Sequence, residues 1–242
     1  MLSVEYCFFH IEKCMGSSLR IMLYNFFKNI YTEDEIYYPE KYKVTQNLIK
    51  KEDYIFFEKE YIHNIKVLLC HCSFNHRNIT DKFSTTCYSI TCIANPIDRI
   101  ISHFYYFDKD KYNRNLYELD ESEITDYLVK RNRGGLITYR LSGSTNDILI
   151  AKDNLDKIDC ILLLESIEED IVILNAILNK RTTTNNNINI IKKNVNIDNY
   201  KDNKTKDVDI LLKYIHLIKD MEIYGIIKDM TIDERIKPFV YS

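Results

Sequence analysis

The stretch "FFHIEKCMGSSLRIMLYNFF", residues 8–27, decides the fold. Its first residues complete the apolar run "VEYCFFHI" (residues 4–11), which is short, aromatic and β-branched and reads as a buried strand. Beyond it Leu19, Met22, Leu23, Phe26, Phe27 and Ile30 recur at helical spacing and form one apolar face. The turn between them carries Lys13 and Gly16, with Gly16 freeing the backbone and Ser17 and Ser18 opening the helix. A turn this sharp collects unpaired amide hydrogens at one point, and such a point attracts an anion.

Working outward, strands keep handing over to helices. "IKVLLCHCSF" (residues 65–74) reads as a second buried strand whose C-terminal end lies near His71. "CYSITCIA" (residues 87–94) is a third, stopped by Asn95 and Pro96, and proline suits the first turn of the helix that carries "IDRIISHFYYF". Residues 52–62, 124–131 and 151–157 read as helical, "CILLLE" (residues 160–165) as a fourth strand, and Ile167, Ile171, Leu174 and Leu178 share one face of the helix after it. This alternation predicts an α/β fold with a central, mainly parallel sheet and covering helices. Residues 181–206, rich in asparagine and lysine, read as a long loop. A C-terminal helix over residues 207–224, with Val208, Leu211, Leu212, Ile215 and Ile218 aligned, is expected to pack back on the sheet. No internal repeat is visible, and a single domain over residues 1–242 is the expected organisation.

Composition removes several function classes. A net charge of −3 and a pI near 6.1 give no electrostatic case for a nucleic-acid partner. No apolar run reaches the roughly 18 residues of a membrane helix and no leader pattern opens the chain, so no membrane segment is expected and the cytoplasm is the default location. The seven cysteines (Cys7, Cys14, Cys70, Cys72, Cys87, Cys92 and Cys160) lie mostly in strand-like runs, where a thiol behaves as a small hydrophobe, and a reducing compartment is the simpler reading. Alternation in a strand points Cys70 and Cys72 away from His71, so a zinc site is not expected.

The order of the opening motif matters. A nucleoside-triphosphatase P-loop places its lysine after the glycine and directly before Ser or Thr, which holds magnesium. Here Lys13 precedes Gly16. The motif keeps the physics of amides and hydroxyls at a helix N-terminus, with a cation beside them, but not the magnesium-binding arrangement. Two readings fit it equally: an anion site without a metal, or an ordinary helix start in which Ser17 or Ser18 caps free amides.

At this point the chain resembles the carbohydrate sulfotransferases, heparan sulfate 2-O-sulfotransferase-like or Golgi type, which use 3′-phosphoadenosine 5′-phosphosulfate (PAPS). "HIEKCMGSSLR" is similar to their HIPKTGGTSLR-type element, and "CIANPIDRIISHFYYF" to the RDPxxRxxSxYYY element that binds the 3′-phosphate. "GGLITYRLSG" resembles NxxTRxLSG, and "AKDNLDKIDCILLLESIEEDI" resembles ALENLEKFDVVGLTERFDESL. "LLCHCSF" resembles the strand ending in GHxxF, where members of this type carry a histidine at the acceptor side.

The resemblance implies a P-loop-like, three-layer α/β/α fold around the mainly parallel sheet, and it implies roles. Lys13 would stabilise the leaving phosphate, while Lys13, Cys14, Met15, Gly16, Ser17 and Ser18 would cradle the 5′-phosphosulfate. Ser102 would contact the 3′-phosphate, with Arg99 supporting it or salt-bridged at the surface. His71, whose ordinary pKa is about 6.5, would serve as general base toward a hydroxyl-bearing acceptor, a glycan. Departures accompany the matches. Ala94 stands where the family has its phosphate-binding arginine, Glu12 where it has proline, and Cys14 and Met15 replace Thr and Gly. Glu12 either pairs with Lys13 or acts on the acceptor. His10 and the pair Tyr105 and Tyr106 are read as packing residues, and His103 as solvated. Alternatives from other classes are a catalytically impaired nucleotide- or glycan-binding protein and, third, a small-molecule or nucleotide kinase.

Overall fold

The computed structural model describes residues 4–38, 64–70, 87–144, 147–189 and 203–238. The chain opens with β1 (Tyr6–Phe9), α1 (Gly16–Phe27), a two-residue strand β2 (Ile36–Tyr37) and β3 (Val67–Cys70). Next come β4 (Tyr88–Ile93) and α2 (Pro96–His103), which widens into a π-helical turn over Phe104–Asp108 and ends in Lys109–Tyr112. The helices α3 (Glu121–Thr125), α4 (Leu136–Ser142) and α5 (Ile148–Leu155) lead to β5 (Cys160–Leu163) and α6 (Ile167–Thr182). The chain closes with α7 (Lys204–Lys213), α8 (Asp220–Asp229) and a short α9 (Ile232–Arg235).

The five strands form one sheet in the order β2-β3-β1-β4-β5, and every pairing is parallel. Strands buried on both sides are largely apolar: β1 is an unbroken apolar run, and β4 is buried throughout, its two polar residues satisfied where the Ser89 hydroxyl donates to Asp159 and the Thr91 hydroxyl to the Phe9 carbonyl. Alternation divides them: Tyr6 and Phe8, with Tyr88, Ile90 and Cys92, meet Leu19, Met22, Leu23, Phe26 and Phe27 of α1 and Ile171, Leu174 and Leu178 of α6. Cys7, Phe9 and Ile93 face the other way, onto Ile137 and Leu141 of α4, Ala151 and Leu155 of α5, and Ile223 and Ile227 of α8. Helices therefore cover both faces of a parallel sheet, as the alternation of elements predicts.

A further apolar cluster joins Ile97, Ile100, Ile101 and Phe104 to Ile124 of α3, Leu211 of α7 and Ile218. It corrects the expected C-terminal helix over 207–224, which is broken between α7 and α8 by a tight turn at Ile215–Leu217. Leu211 and Ile218 accordingly pack on α2 rather than on the sheet. The expected loop from residue 181 begins slightly later, since α6 continues through Thr182. Two elements carry no strong sequence signal: β2, only two residues long, and α4. The expected helix at residues 52–62 lies outside the described residues. No helix among the described residues is long and apolar enough to cross a membrane.

This topology places a crevice. The chain leaves β1 into α1 on one face, whereas it leaves the adjacent β4 into α2, which contacts α8 of the opposite layer. Neighbouring parallel strands whose connections part to opposite sides open a cleft at their carboxyl ends, where open α/β sheets bind ligands. The residues after β1 and β4 at that place are the turn 12–15 and the Ala94-Asn95-Pro96 corner.

Candidate functional site

His10 and Ile11 are still buried as the chain leaves β1, and the turn that follows reverses over Glu12, Lys13, Cys14 and Met15. Its left-handed positions are Lys13 (φ 64°) and Met15 (φ 59°), neither of them glycine. A side chain in that conformation costs on the order of 1–2 kcal/mol per residue. Gly16 is helical, which corrects the expectation that it frees the turn. Its requirement is space: a Cβ there would lie 1.5 Å from Cδ2 of the buried His10 ring. The helix start also differs from the serine-capped version. Met15 precedes α1 with no side-chain cap, the first turn holds no acidic residue, and Ser17 and Ser18 sit inside that turn, Ser17 exposed and Ser18 buried. A left-handed Met15 followed by helical Gly16 turns successive amide hydrogens toward one concavity, reinforced by the positive end of the helix dipole.

Lys13 is half-buried, and its ammonium Nζ lies 3.9 Å from the centre of the Tyr106 ring and 5.9 Å from that of Phe107. Burial lowers its pKa from the ordinary lysine value. Among the described residues it has no carboxylate partner. Glu12 does not pair with it: the Glu12 carboxylate accepts two hydrogen bonds from Arg140 of α4, one from Nε at 3.1 Å and one from Nη2. Tyr106 is 65 % exposed, so it is not the packing residue that the aromatic pair suggested; its neighbour Tyr105 is half-buried and donates to Asp207 at 2.9 Å.

Cys14 is fully buried within the core face that includes Ile93 and Ala94, and burial pushes its thiol up to about 12. Cys14 therefore offers a ligand only its backbone. Cys7, Cys92 and Cys160 are likewise buried, with their thiols held protonated by burial, in keeping with their reading as small hydrophobes.

Arg99 is fully buried, which corrects the surface salt bridge. Its Nη2 donates to the Arg133 carbonyl and reaches Asp220 at 3.3 Å. The same Asp220 carboxylate accepts from the amides of Ile137 (2.9 Å) and Thr138 (2.8 Å) and from the Thr138 hydroxyl (2.9 Å), so a residue of α8 caps α4. Burial raises the Asp220 pKa, with Arg99 and these donors opposing. Nε and Nη1 of Arg99 find no partner among the described residues, and its charge reaches Cys14 strongly enough to oppose the rise of the thiol pKa. Ser102, one turn later, is half-buried. His103 is buried rather than solvated: Nδ1 lies 3.2 Å from the Tyr127 hydroxyl and 3.3 Å from Asp108. Burial first, then Arg133 and Arg99, bring its pKa down to about 3, so the imidazole is neutral near pH 7 despite the nearby carboxylate.

The structure thus gathers Lys13, Cys14, Met15, Gly16, Ser17 and Ser18 on one turn, with Arg99 near its inner side. His71 and the side chain of Cys70 lie outside the described residues. Among the described residues no three His, Cys, Asp or Glu side chains group to hold a metal. Sequence reasoning missed the exposed position of Tyr106, the pairing of Arg140 with Glu12 and the buried state of His103. The π-helical turn shifts the 3.6-residue periodicity on which the reading of the aromatic run rests.

No family model matches the chain, and neither the curated proteins nor the solved structures contain a match.

Proposed function

We propose that this chain is a P-loop-like, PAPS-dependent sulfotransferase that moves a sulfuryl group to a hydroxyl of a carbohydrate acceptor. The observation that carries the reading is Lys13: a half-buried ammonium without a carboxylate partner among the described residues, on a left-handed turn beside an uncapped helix start, at the switch point of a parallel sheet. The resemblance of the four ordered motifs supplies the donor. PAPS would bring the activated sulfuryl group, and the protein's task is to place it and to neutralise charge. The amides of residues 15–18 and the Ser17 hydroxyl suit the 5′-phosphosulfate, and Lys13 suits the oxygen on which charge develops. His71 remains the proposed base: His71→Ala is predicted to lower turnover about 10²–10⁴-fold while nucleotide affinity holds.

The fit to the 3′-phosphate is poorer, and this favours a second reading. Ala94 is sealed in the core at 1 % exposure, so an arginine placed there would disrupt packing instead of restoring a contact. Arg99 is fully buried, with its Nη2 engaged by Asp220 and the Arg133 carbonyl. A binding protein that keeps the fold and has lost transfer is the alternative. Incubation with radiolabelled PAPS and a panel of glycans, for wild type and Lys13→Ala, separates the two. Labelled glycan formed only by wild type supports the enzyme, whereas nucleotide binding with no transfer to any glycan supports the binding protein.

A further inference from the structure

The π-helical turn Phe104–Asp108 divides its aromatic residues between two environments. Phe104 is fully buried, stacked on Tyr112 and edge-on to Tyr127, and anchors the turn in the cluster beneath α2. Tyr106 and Phe107 point outward, 65 % and 56 % exposed, with their rings 4.5 Å apart in a T-shaped contact. Phe107 is held in turn by the buried His103 ring at 4.7 Å. The ring that this chain of contacts supports is the one under the Lys13 ammonium, 3.9 Å from its centre. The sequence offers no reason for that meeting, since Lys13 leaves β1 and Tyr106 follows β4. The ring that meets Lys13 stands on a π turn, a feature rare in helices and frequent at functional sites.

A half-buried ammonium needs a partner. A carboxylate would neutralise it, and an incoming anion would then have to displace that carboxylate. An aromatic face attracts the cation through its quadrupole without carrying a charge. We propose that Tyr106 is a positioning residue for Lys13, whose ring holds the ammonium extended at the loop mouth and leaves its charge unspent until an anion arrives. This rests on the reading of Lys13 as the anion-facing cation.

Because Tyr106 is largely exposed, its replacement leaves the apolar core intact. The test is the rate of reductive methylation of Lys13 in the unliganded protein at fixed pH, read by mass spectrometry of the Lys13 peptide. Tyr106→Leu is predicted to react about two- to fivefold faster than wild type, the factor expected for loss of one cation–π contact. Tyr106→Phe, which keeps the ring, is predicted to match wild type, and Phe107→Leu to change the rate much less than Tyr106→Leu. A wild-type rate in Tyr106→Leu, or equal acceleration in Tyr106→Phe, overturns the proposal. Affinity for adenosine 3′,5′-bisphosphate gives a second measure, expected to fall about two- to fivefold in Tyr106→Leu and to be rescued in Tyr106→Phe. If wild type binds no bisphosphate, the reading of Lys13 fails, and the methylation rates still decide whether Tyr106 holds it.

Discussion

Lys13 and Gly16 show how much chemistry a single turn concentrates. With no carboxylate partner among the described residues, the Lys13 ammonium would, on the proposed reading, meet the charge that develops on a leaving oxygen, so Lys13→Ala is predicted to reduce the proposed transfer by about 10²–10³-fold and to weaken nucleotide binding far less. Equal losses in both would mean that the lysine serves binding alone. Gly16 makes a different prediction. The methyl of Gly16→Ala falls on the His10 ring, and overpacking of this kind costs about 1–3 kcal/mol. His10→Ala removes the obstacle, so the double substitution should be more stable than the sum of the single effects allows, as measured by urea unfolding. Strict additivity would show that the ring and the glycine do not meet. The sequence marks both residues as special, but it assigns Gly16 the wrong reason. Left-handed backbone at Lys13 and Met15 cannot be foreseen from residue types that normally avoid it.

At the scale of elements, what was legible is what periodicity and punctuation encode. The strands at β1, β3 and β5 are unbroken apolar runs and β4 is a β-branched and aromatic run interrupted by Ser89, α1 and α6 show one apolar face, and Asn95 caps α2 through Ile97 N–H with Pro96 in the first turn. The C-terminal helix misled because Ile215 and Ile218 continue the helical spacing of Leu211 across a turn that the chain takes to bring Asp220 under α4. Gly134 is the counterpart of that turn: its Cα lies so close to the Leu217 carbonyl that a Cβ would sit 2.6 Å from it. Asp207 of α7 is fully buried, where it accepts from the Tyr105 hydroxyl and the Tyr117 amide, and burial nevertheless raises its pKa to about 6. A carboxyl whose folded pKa is raised binds its proton more tightly in the folded state. Its stabilising contribution is therefore complete below about pH 4 and is lost as pH rises through 6. Asp207→Asn removes this dependence, so its stability relative to wild type should increase by on the order of 2–3 kcal/mol between pH 4 and pH 7 in chemical denaturation. Parallel profiles for the two proteins would contradict the assignment.

Across the whole molecule, two edges and one crevice organise the sheet. At the β5 edge the final segment pairs antiparallel, Cys160 opposite Ile236, and the Lys237 amide donates to the Asp159 carbonyl at 2.8 Å. Arg235 secures it with a two-point contact to buried Asp170, at 2.8 and 3.0 Å, and a bond to the Ile161 carbonyl. Asp170 also accepts the Leu163 amide, so the pair ties α9, β5 and α6 together. Arg235→Ala leaves that carboxylate buried and unpaired, and a loss of about 3–5 kcal/mol is expected in urea unfolding, with Asp170→Leu in the same chain recovering much of it. A loss below 1 kcal/mol would show that the final segment contributes little.

The crevice at the carboxyl ends of β1 and β4 carries the central claim, that the turn at Lys13 receives the phosphate end of an adenosine nucleotide without a metal. Calorimetric titration of wild type and Lys13→Ala with adenosine 3′,5′-bisphosphate, AMP and ATP, with and without magnesium, tests it most directly. The account predicts that wild type binds the bisphosphate in preference to AMP, that magnesium changes nothing, and that Lys13→Ala binds it more weakly. Binding of ATP only with magnesium, or of no nucleotide at all, would contradict it.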